Sequence, residues 1–251
     1  CKQLRAAVMD MNAGYEIEAP YLRAELVEAG KAWKNMPLIT AGSGIAIGLP
    51  QNFGIHATAA DIAKASRLPA PQGLQAIVSG SCSLATQGQV AHYISTALPS
   101  WQFKPLNWTA QDVPAQIKAD VDAALAWASP LLSQGPVLIY ATTDADTLQK
   151  VQAKFGREQA GEWMESALAQ VCLGLQALGV KQWVIAGGET SGACVQALNI
   201  TQMQIGPQID PGVPWCFAPQ HAAGHLTLKS GNFGTPDFFT KALKVLAETS
   251  A

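Results

Sequence analysis

Short apolar runs and longer amphipathic stretches alternate along most of this 251-residue chain. The apolar runs have the length of buried strands, and the stretches between them place apolar residues three and four positions apart, as helices do. The pattern predicts strands at residues 5–10, 38–41, 75–78, 101–107, 136–140, 180–186 and 226–228. It predicts helices at residues 21–35, 84–95, 113–129, 158–178, 193–198 and 237–247. Such alternation is typical of an α/β fold, a layered and largely parallel sheet with helices on both faces.

A glycine pair separates the predicted strand at 180–186 from the helix that follows it. Gly187 and Gly188 come directly after the strand, and Glu189 and Thr190 come next. The first N–H groups of a helix have no partner inside it, and the helix dipole adds partial positive charge there. The turn therefore predicts a binding site for an anion such as a phosphate. The alternative is a tight turn in which Thr190 only caps the helix.

Two further polar turns follow predicted strands. Residues 79–83 contain three serines, of which Ser79 is the first, and Gly231 lies within the turn at 229–234. Ligands of parallel sheets bind beyond the carboxyl ends of the strands. We therefore expect Ser79, Gly188 and Gly231 to lie together around one phosphate-bearing cleft.

Two side chains in these turns have chemistry of their own. Lys229 either contacts a phosphate or is a solvated lysine. Cys82 has the thiol of a nucleophile, but no histidine stands in a matching motif and His92 is a helix length away. The serine-rich turn is therefore interpreted as a helix cap with spare hydroxyl groups, and not as a cysteine active site.

The glycine-rich segment 42–48 differs by one residue from the dinucleotide-binding pattern Gly-x-Gly-x-x-Gly. Pro50 follows too soon for a long crossover helix, so a hinge or a ligand-facing loop between two domains is favoured. Residues 45–74 form the domain boundary that the sequence indicates. A second unusual segment, 203–215, contains three prolines and is predicted to be a rigid extended loop.

Composition and charge limit the classes of partner. The formal net charge is -2, and no basic stripe is present, so a general nucleic-acid surface is not expected. Hydrophobic residues make up 49% of the chain, enough for a large core and for a homodimer interface. The apolar run at 36–50 is broken by glycines and a proline, and no signal-peptide pattern opens the chain, so no membrane association is expected.

The five cysteines are widely spaced, and no Cys-x-x-Cys occurs. This spacing fits neither a zinc site nor a disulfide framework. Free thiols in a reducing compartment, the cytoplasm, are the simpler interpretation.

Four groups of segments carry a resemblance to a known family. They are LITAGSG at 38–44, VSGSCS at 78–83, AGGETS at 186–191, and IDPGVPW with LKSGNFG at 209–215 and 228–234. The chain resembles the C-terminal part of the four-carbon acid sugar kinases and is most similar to the branch of 3-oxo-tetronate kinases. The resemblance covers residues 37–247, in order and with compatible spacing.

The resemblance implies an N-terminal domain that binds the sugar acid and a C-terminal domain that binds ATP. Residues 1–44 would be the end of the first domain, and residues 45–251 the nucleotide-binding domain. The expected reaction transfers the γ-phosphoryl group of ATP, with Mg²⁺, to 3-oxo-tetronate, giving 3-oxo-tetronate 4-phosphate. The family's Asp-Asp-Phe-Thr-Gly motif is absent from these residues, so the catalytic base is not assigned, and the chain alone is expected to be inactive.

The nucleotide-binding residues that the resemblance implies are Ser79, Gly187, Gly188, Glu189, Thr190 and Gly231. No Walker sequence is present, so phosphates would be held by main-chain amides and helix ends. Glu189 either helps to place Mg²⁺ or is an acid that favours the helix dipole; no set of metal ligands is predicted. Two other functions stay open: an NAD-dependent oxidoreductase that uses residues 42–48, and a non-catalytic module that binds a nucleotide or an acidic metabolite.

Overall fold

The computed structural model describes residues 27–35, 37–38, 48–219 and 224–248. The chain divides into two units, Cys1–Ala65 and Ser66–Ala251. In the first unit, residues 27–32 are helical, Pro50–Phe53 form a 3-10 turn and α1 spans Ala59–Ala65. The strands predicted at 5–10 and 38–41, and the glycine-rich segment 42–48, lie wholly or mostly outside the described residues.

The second unit contains one seven-stranded sheet and the helices that cover it. Its strands are β1 Leu74–Ser79, β2 Ser100–Gln102, β3 Val137–Tyr140, β4 Val180–Ala186, β5 Gln204–Asp210, β6 Val213–Ala218 and β7 Gly224–Lys229. Its helices are α2 Leu84–Ser95, α3 Val113–Ala128, α4 Ala145–Phe155, α5 Arg157–Ala177, α6 Gly188–Ala197 and α7 Phe238–Glu248, and Pro105–Asn107 form a 3-10 turn.

The strand order is β2-β3-β1-β4-β7-β6-β5. The five strands from β2 to β7 in this order pair in parallel, whereas β5, β6 and β7 form antiparallel pairs. The predicted α/β fold with a largely parallel sheet is confirmed. The predicted alternation of strands and helices along the whole chain is not confirmed, because three strands follow one another after α6.

The interpretation of residues 203–215 as an extended loop was wrong. These residues form β5 and the start of β6, joined through Gly212, whose φ of +78° allows the tight turn. Proline is tolerated because β5 is an edge strand and its pairing with β6 is irregular. Pro214 precedes Cys216, where the ladder with β7 begins, so its missing N–H interrupts no bond to that strand.

The core lies on both faces of the sheet, because alternate residues of each buried strand point to opposite sides. Side chains of α3, α5 and α6 cover one face, with Val78 and Ile185 from the strands. Side chains of α2 and α7 cover the other face, with Ile77 and Val184. Helices therefore lie on both faces, as predicted. No helix in the described segments is long and apolar enough to cross a bilayer.

The connections diverge at the centre of the sheet. After β1 the chain runs to β2 at one edge, and after β4 it runs to β5 at the opposite edge. β1 and β4 are neighbours, and the connections that follow them leave in opposite directions. A crevice therefore lies between the carboxyl ends of these two strands. In α/β sheets this switch point is where ligands bind.

Candidate functional site

The turn between β4 and α6 requires glycine at its first position. Gly187 has a φ of +126°, and a Cβ atom there would lie 2.8 Å from Thr190 Oγ1 and 3.1 Å from the amide nitrogen of Ser81. Gly187 precedes α6 and offers no side-chain cap, so the first N–H groups of the helix have no capping partner from it. This leaves donors and the positive end of the helix dipole at the turn.

The turn after β1 lies directly against this helix start. The amides of Gly80 and Ser81 both donate to the carbonyl oxygen of Ala186, at 2.9 and 3.3 Å. A Cβ atom on Gly80 would lie 2.2 Å from Thr190 Oγ1, so only glycine allows this approach. The first two polar turns are therefore in contact.

The turn after β7 joins them on the other side. The amide of Gly187 donates to the carbonyl oxygen of Lys229 at 2.8 Å. The carbonyl oxygen of Gly231 accepts from Ser83 Oγ at 2.5 Å, and a Cβ atom on Gly231 would lie 2.7 Å from Ser81 Oγ. The three polar turns thus meet at the carboxyl ends of β1, β4 and β7.

A cleft of about 700 Å³ opens beside the turns after β1 and β4. Its floor is formed by the turns after β1, β3 and β4, and its wall by α4 and α5. Lining residues that matter below are Ser81, Leu148, Arg157, Met164, Glu165 and Gly188. The cleft coincides with the switch point of the sheet.

Four of the six predicted site residues line this cleft: Gly187, Gly188, Glu189 and Thr190. Ser79 does not line it; this residue is fully buried, and its Oγ lies 2.7 Å from Thr142 Oγ1. Gly231 does not line the cleft, but it contacts Ser81, which does. The structure therefore brings the predicted turns together, with Ser81 and not Ser79 as the serine on the cleft surface.

Acidic side chains line the cleft. Glu162 and Glu165 lie on its wall, in α5, and Glu189 lies at the start of α6. Burial, and then the negative charges of Glu189 and Glu162, raise the pKa of Glu165. Across residues 27–248, as far as they are described, no group of three or more His, Cys, Asp or Glu side chains is arranged to hold a metal ion.

The sequence interpretation missed the contribution of α5. Arg157, Glu162 and Glu165 are ordinary polar positions of an amphipathic helix, and nothing in their spacing separates them from solvent-exposed residues. Cys82 also lines the cleft, where burial raises the pKa of its thiol and so disfavours the nucleophilic thiolate. This supports the interpretation of residues 79–83 as a turn without a cysteine nucleophile.

Lys229 is a buried side chain, so the solvated lysine, one of the two alternatives for this residue, was wrong. Its residue is fully buried, and its Nζ donates to Thr86 Oγ1 at 2.8 Å and to the carbonyl oxygen of Gly231 at 3.1 Å. Burial lowers the pKa of Lys229 to about 8. The lysine therefore lies beneath the third polar turn.

Comparison with known proteins identifies the relatives of this chain. The model of the family described as the nucleotide-binding C-terminal domain matches residues 76–239. The chain is 45% identical over 224 residues to a 3-oxo-tetronate kinase of Pseudomonas fluorescens, and 48% identical over 222 residues to one of Burkholderia multivorans. These matches cover 89% and 88% of the chain but only 50% of each relative. The chain thus spans about half the length of the curated relatives it matches.

Solved structures show the same fold. A Salmonella typhimurium LT2 protein has a TM-score of 0.73 and 32% identity, covering 89% of this chain and 50% of its own. A Haemophilus influenzae protein has a TM-score of 0.67 and 30% identity, covering 89% of this chain and 52% of its own. The family match and the kinase relatives confirm the resemblance seen in the sequence: the chain belongs to the four-carbon acid sugar kinase family, of which it carries the nucleotide-binding C-terminal domain.

Proposed function

We propose that this chain is the ATP-binding part of a kinase that phosphorylates a four-carbon acid sugar, 3-oxo-tetronate, at its terminal hydroxyl. The relatives that bear this activity in their names support the reaction and the substrate. The observation that carries the nucleotide site is the contact of the uncapped start of α6 with the turn at 80–83, which itself contacts Gly231. Main-chain amides and a helix end can hold a triphosphate without a P-loop lysine.

The two ends of the cleft suit the two ends of a nucleotide. Gly188 and Thr190 stand at the helix start, where the phosphates would lie. Leu148, Val151 and Met164 from α4 and α5 provide apolar surface against which a flat base can pack. In this proposal Ser81 contributes a hydroxyl group to the phosphate end, and Ser79 braces the turn from below.

Mg²⁺ fits the acidic side chains of the cleft. Magnesium in phosphoryl-transfer sites is held by one or two carboxylates, waters and the substrate phosphates, so a cluster of three protein ligands is not required. Glu189 at the start of α6 and Glu165 on α5 are the carboxylates in place. The ion would neutralise charge on the phosphates during transfer. It would also relieve the repulsion from Glu189 and Glu162, which adds to burial in raising the pKa of Glu165.

Other parts of the proposal concern the whole protein. The sugar acid and the catalytic base are assigned to sequence beyond these residues, and the chain alone is proposed to bind nucleotide without turnover. A cytoplasmic location agrees with the four free cysteines of the described segments. A homodimer stays a prediction, as does the absence of nucleic-acid binding. The oxidoreductase alternative depends on residues 42–48, which lie mostly outside the described residues.

Gly188 provides a direct test, because a Cβ atom there would meet no protein atom within 4 Å. The Gly188→Val side chain would enter the cleft without disturbing the fold and crowd the phosphates. Calorimetric titration with ADP should show at least a tenfold loss of affinity, which corresponds to about 1.4 kcal/mol.

Gly192→Val is the matched control. Gly192 lies one turn further along α6, is exposed and also has no atom within 4 Å of its Cβ position, but does not line the cleft. This variant should bind ADP as the wild type does. Equal affinity in folded Gly188→Val and wild-type protein would refute the phosphate site at the start of α6.

A further inference from the structure

Lys229 is a buried cation without an acidic partner in the part of the chain that the structure describes. No carboxylate there forms an ion pair with its Nζ, and the two acceptors of its hydrogen bonds, Thr86 Oγ1 and the Gly231 carbonyl oxygen, are both neutral. Buried charges in proteins are normally paired, since removal of an ion from water is costly. A counter-charge is therefore expected from a ligand.

The hydrogen bonds of Lys229 do not explain its burial. The Gly231 carbonyl oxygen also accepts from Ser83 Oγ and from Thr86 Oγ1, at 2.5 and 2.9 Å. Thr86 Oγ1 keeps its own hydrogen bond to that carbonyl oxygen whether or not the lysine is present. Neither acceptor would lose its last partner if the ammonium group were absent.

A chain of polar contacts links Lys229 to the cleft. Lys229 Nζ donates to Thr86 Oγ1 at 2.8 Å, and Thr86 contacts Ser83. Ser81 Oγ donates to Ser83 Oγ at 3.2 Å, and Ser81 lines the cleft. The same ammonium group holds the Gly231 carbonyl oxygen, and the Cα of Gly231 packs against Ser81. Lys229 is thus linked to the cleft surface at Ser81, both through Thr86 and Ser83 and through Gly231.

We propose that Lys229 is a positioning residue whose charge stabilises the nucleotide phosphates at the cleft surface formed by Ser81. This inference rests on the proposed function. The site then has two sources of positive potential, the start of α6 and the ammonium group under the turn after β7. The lysine acts in two ways. Its hydrogen bond to Gly231 holds the turn in place, and its positive charge attracts the phosphates through protein, which weakens the attraction less than water would.

The test compares nucleotides with different numbers of phosphates. Lys229→Met removes the charge and keeps an unbranched side chain, and calorimetry measures the affinities for ATP, ADP and AMP. We expect a loss of tenfold or more for ATP and ADP and a smaller loss for AMP, because the stabilised charge grows with the phosphate chain. A purely structural lysine would change the three affinities by the same factor.

Lys118→Met is the control, since Lys118 lies exposed on α3 and pairs with Asp122. It should bind all three nucleotides as the wild type does. If the wild type binds ATP and ADP tightly and Lys229→Met binds them equally well, the proposed role of Lys229 is wrong. Absence of binding by the wild type would instead reject the proposed function itself.

A measurement on the wild type covers the case in which Lys229→Met does not fold. Burial lowers the pKa of Lys229 to about 8, so a phosphate bound nearby should raise it again and cause proton uptake. Calorimetry of ADP binding at pH 8 in buffers of different ionisation heat should show uptake approaching half a proton, on the order of 0.5. No uptake would contradict the proposal.

Other titratable groups on the surrounding elements are Cys82 and His92 at the two ends of α2, Tyr93 within it, and Asp237 before α7. Burial raises the pKa of Cys82 and of Tyr93, which keeps both protonated at pH 8. A hydrogen bond from Thr235 lowers the pKa of Asp237, which keeps it ionised. His92 is the remaining group, and a His92→Gln control should show the same proton uptake as the wild type.

Discussion

At the scale of single residues, Lys229 should act on stability and on binding in opposite directions. Its burial disfavours the charged form, and the Gly231 carbonyl oxygen keeps two other donors without it. We therefore expect unliganded Lys229→Met to be at least as stable as the wild type at pH 7, with a gain of up to about 1–3 kcal/mol in the free energy of unfolding. Urea unfolding of both proteins provides the comparison.

The pH dependence of this difference has a defined sign. The pKa of Lys229 is about 8 in the folded chain, below the ordinary value of 10.5, so the unfolded chain binds more protons between these values. The free energy of unfolding that Lys229 contributes in the wild type therefore rises with pH in this window, and Lys229→Met lacks that rise. The advantage of the variant should be greatest below pH 8 and smaller at pH 9.5. If the stability advantage of Lys229→Met over the wild type grew with pH, the pKa of Lys229 in the folded chain would not be lowered.

Single residues also show where sequence reasoning succeeds. Gly187 and Gly188 could be found because a glycine pair directly between a strand and a helix is typical of a turn that approaches a phosphate. Ser79 and Ser81 could not be ranked against each other from the sequence. Ser79 is the last residue of β1, and its hydroxyl group contacts Thr142 in the interior. Ser81 follows the strand and lines the cleft. That distinction depends on the path of the turn, which no periodicity encodes.

At the scale of elements, local signals predicted the long helices well. The helix predicted at 84–95 has these bounds in the structure, and Ser83 accepts from the amide of Thr86 as its cap. Similarly, α5 lies within one residue of its predicted bounds at each end. The hairpin of β5 and β6 was missed because its prolines are compatible with an edge strand only, and the position of a strand in the sheet is a tertiary property.

Helix packing gives an element-scale prediction. A Cβ atom on Gly174 in α5 would lie 2.1 Å from Cδ1 of Leu125 in α3, so the two helices approach closely only because this residue is glycine. Gly174→Ala should destabilise the chain by about 1–2 kcal/mol through overpacking, even though alanine is the better helix former. Thermal or urea unfolding measures the change.

Gly88 in α2 is the matched site for this comparison, since a Cβ atom there meets nothing within 4 Å. Gly88→Ala should be stabilising, by up to about 1 kcal/mol from helix propensity alone. The free energy of unfolding should therefore fall in Gly174→Ala and rise in Gly88→Ala. If Gly174→Ala were also stabilising, the close contact between α3 and α5 would be disproved.

At the scale of the whole molecule, the topology brings the site together. The turns at 80–83, 187–190 and 230–231 are far apart in the sequence but follow three adjacent strands, β1, β4 and β7. Their convergence could be predicted once a parallel sheet was assumed. The strand order could not, and neither could the wall that α4 and α5 place opposite the turns, because these depend on packing between distant segments.

Calorimetric titration of the chain with ATP and ADP shows whether these turns hold the phosphates of a nucleotide. Both nucleotides should bind at a single site, and ATP should bind more tightly when Mg²⁺ is present, because the ion links the acidic side chains of the cleft to the phosphates. Failure of the folded chain to bind either nucleotide at millimolar concentration, with or without Mg²⁺, would contradict this expectation.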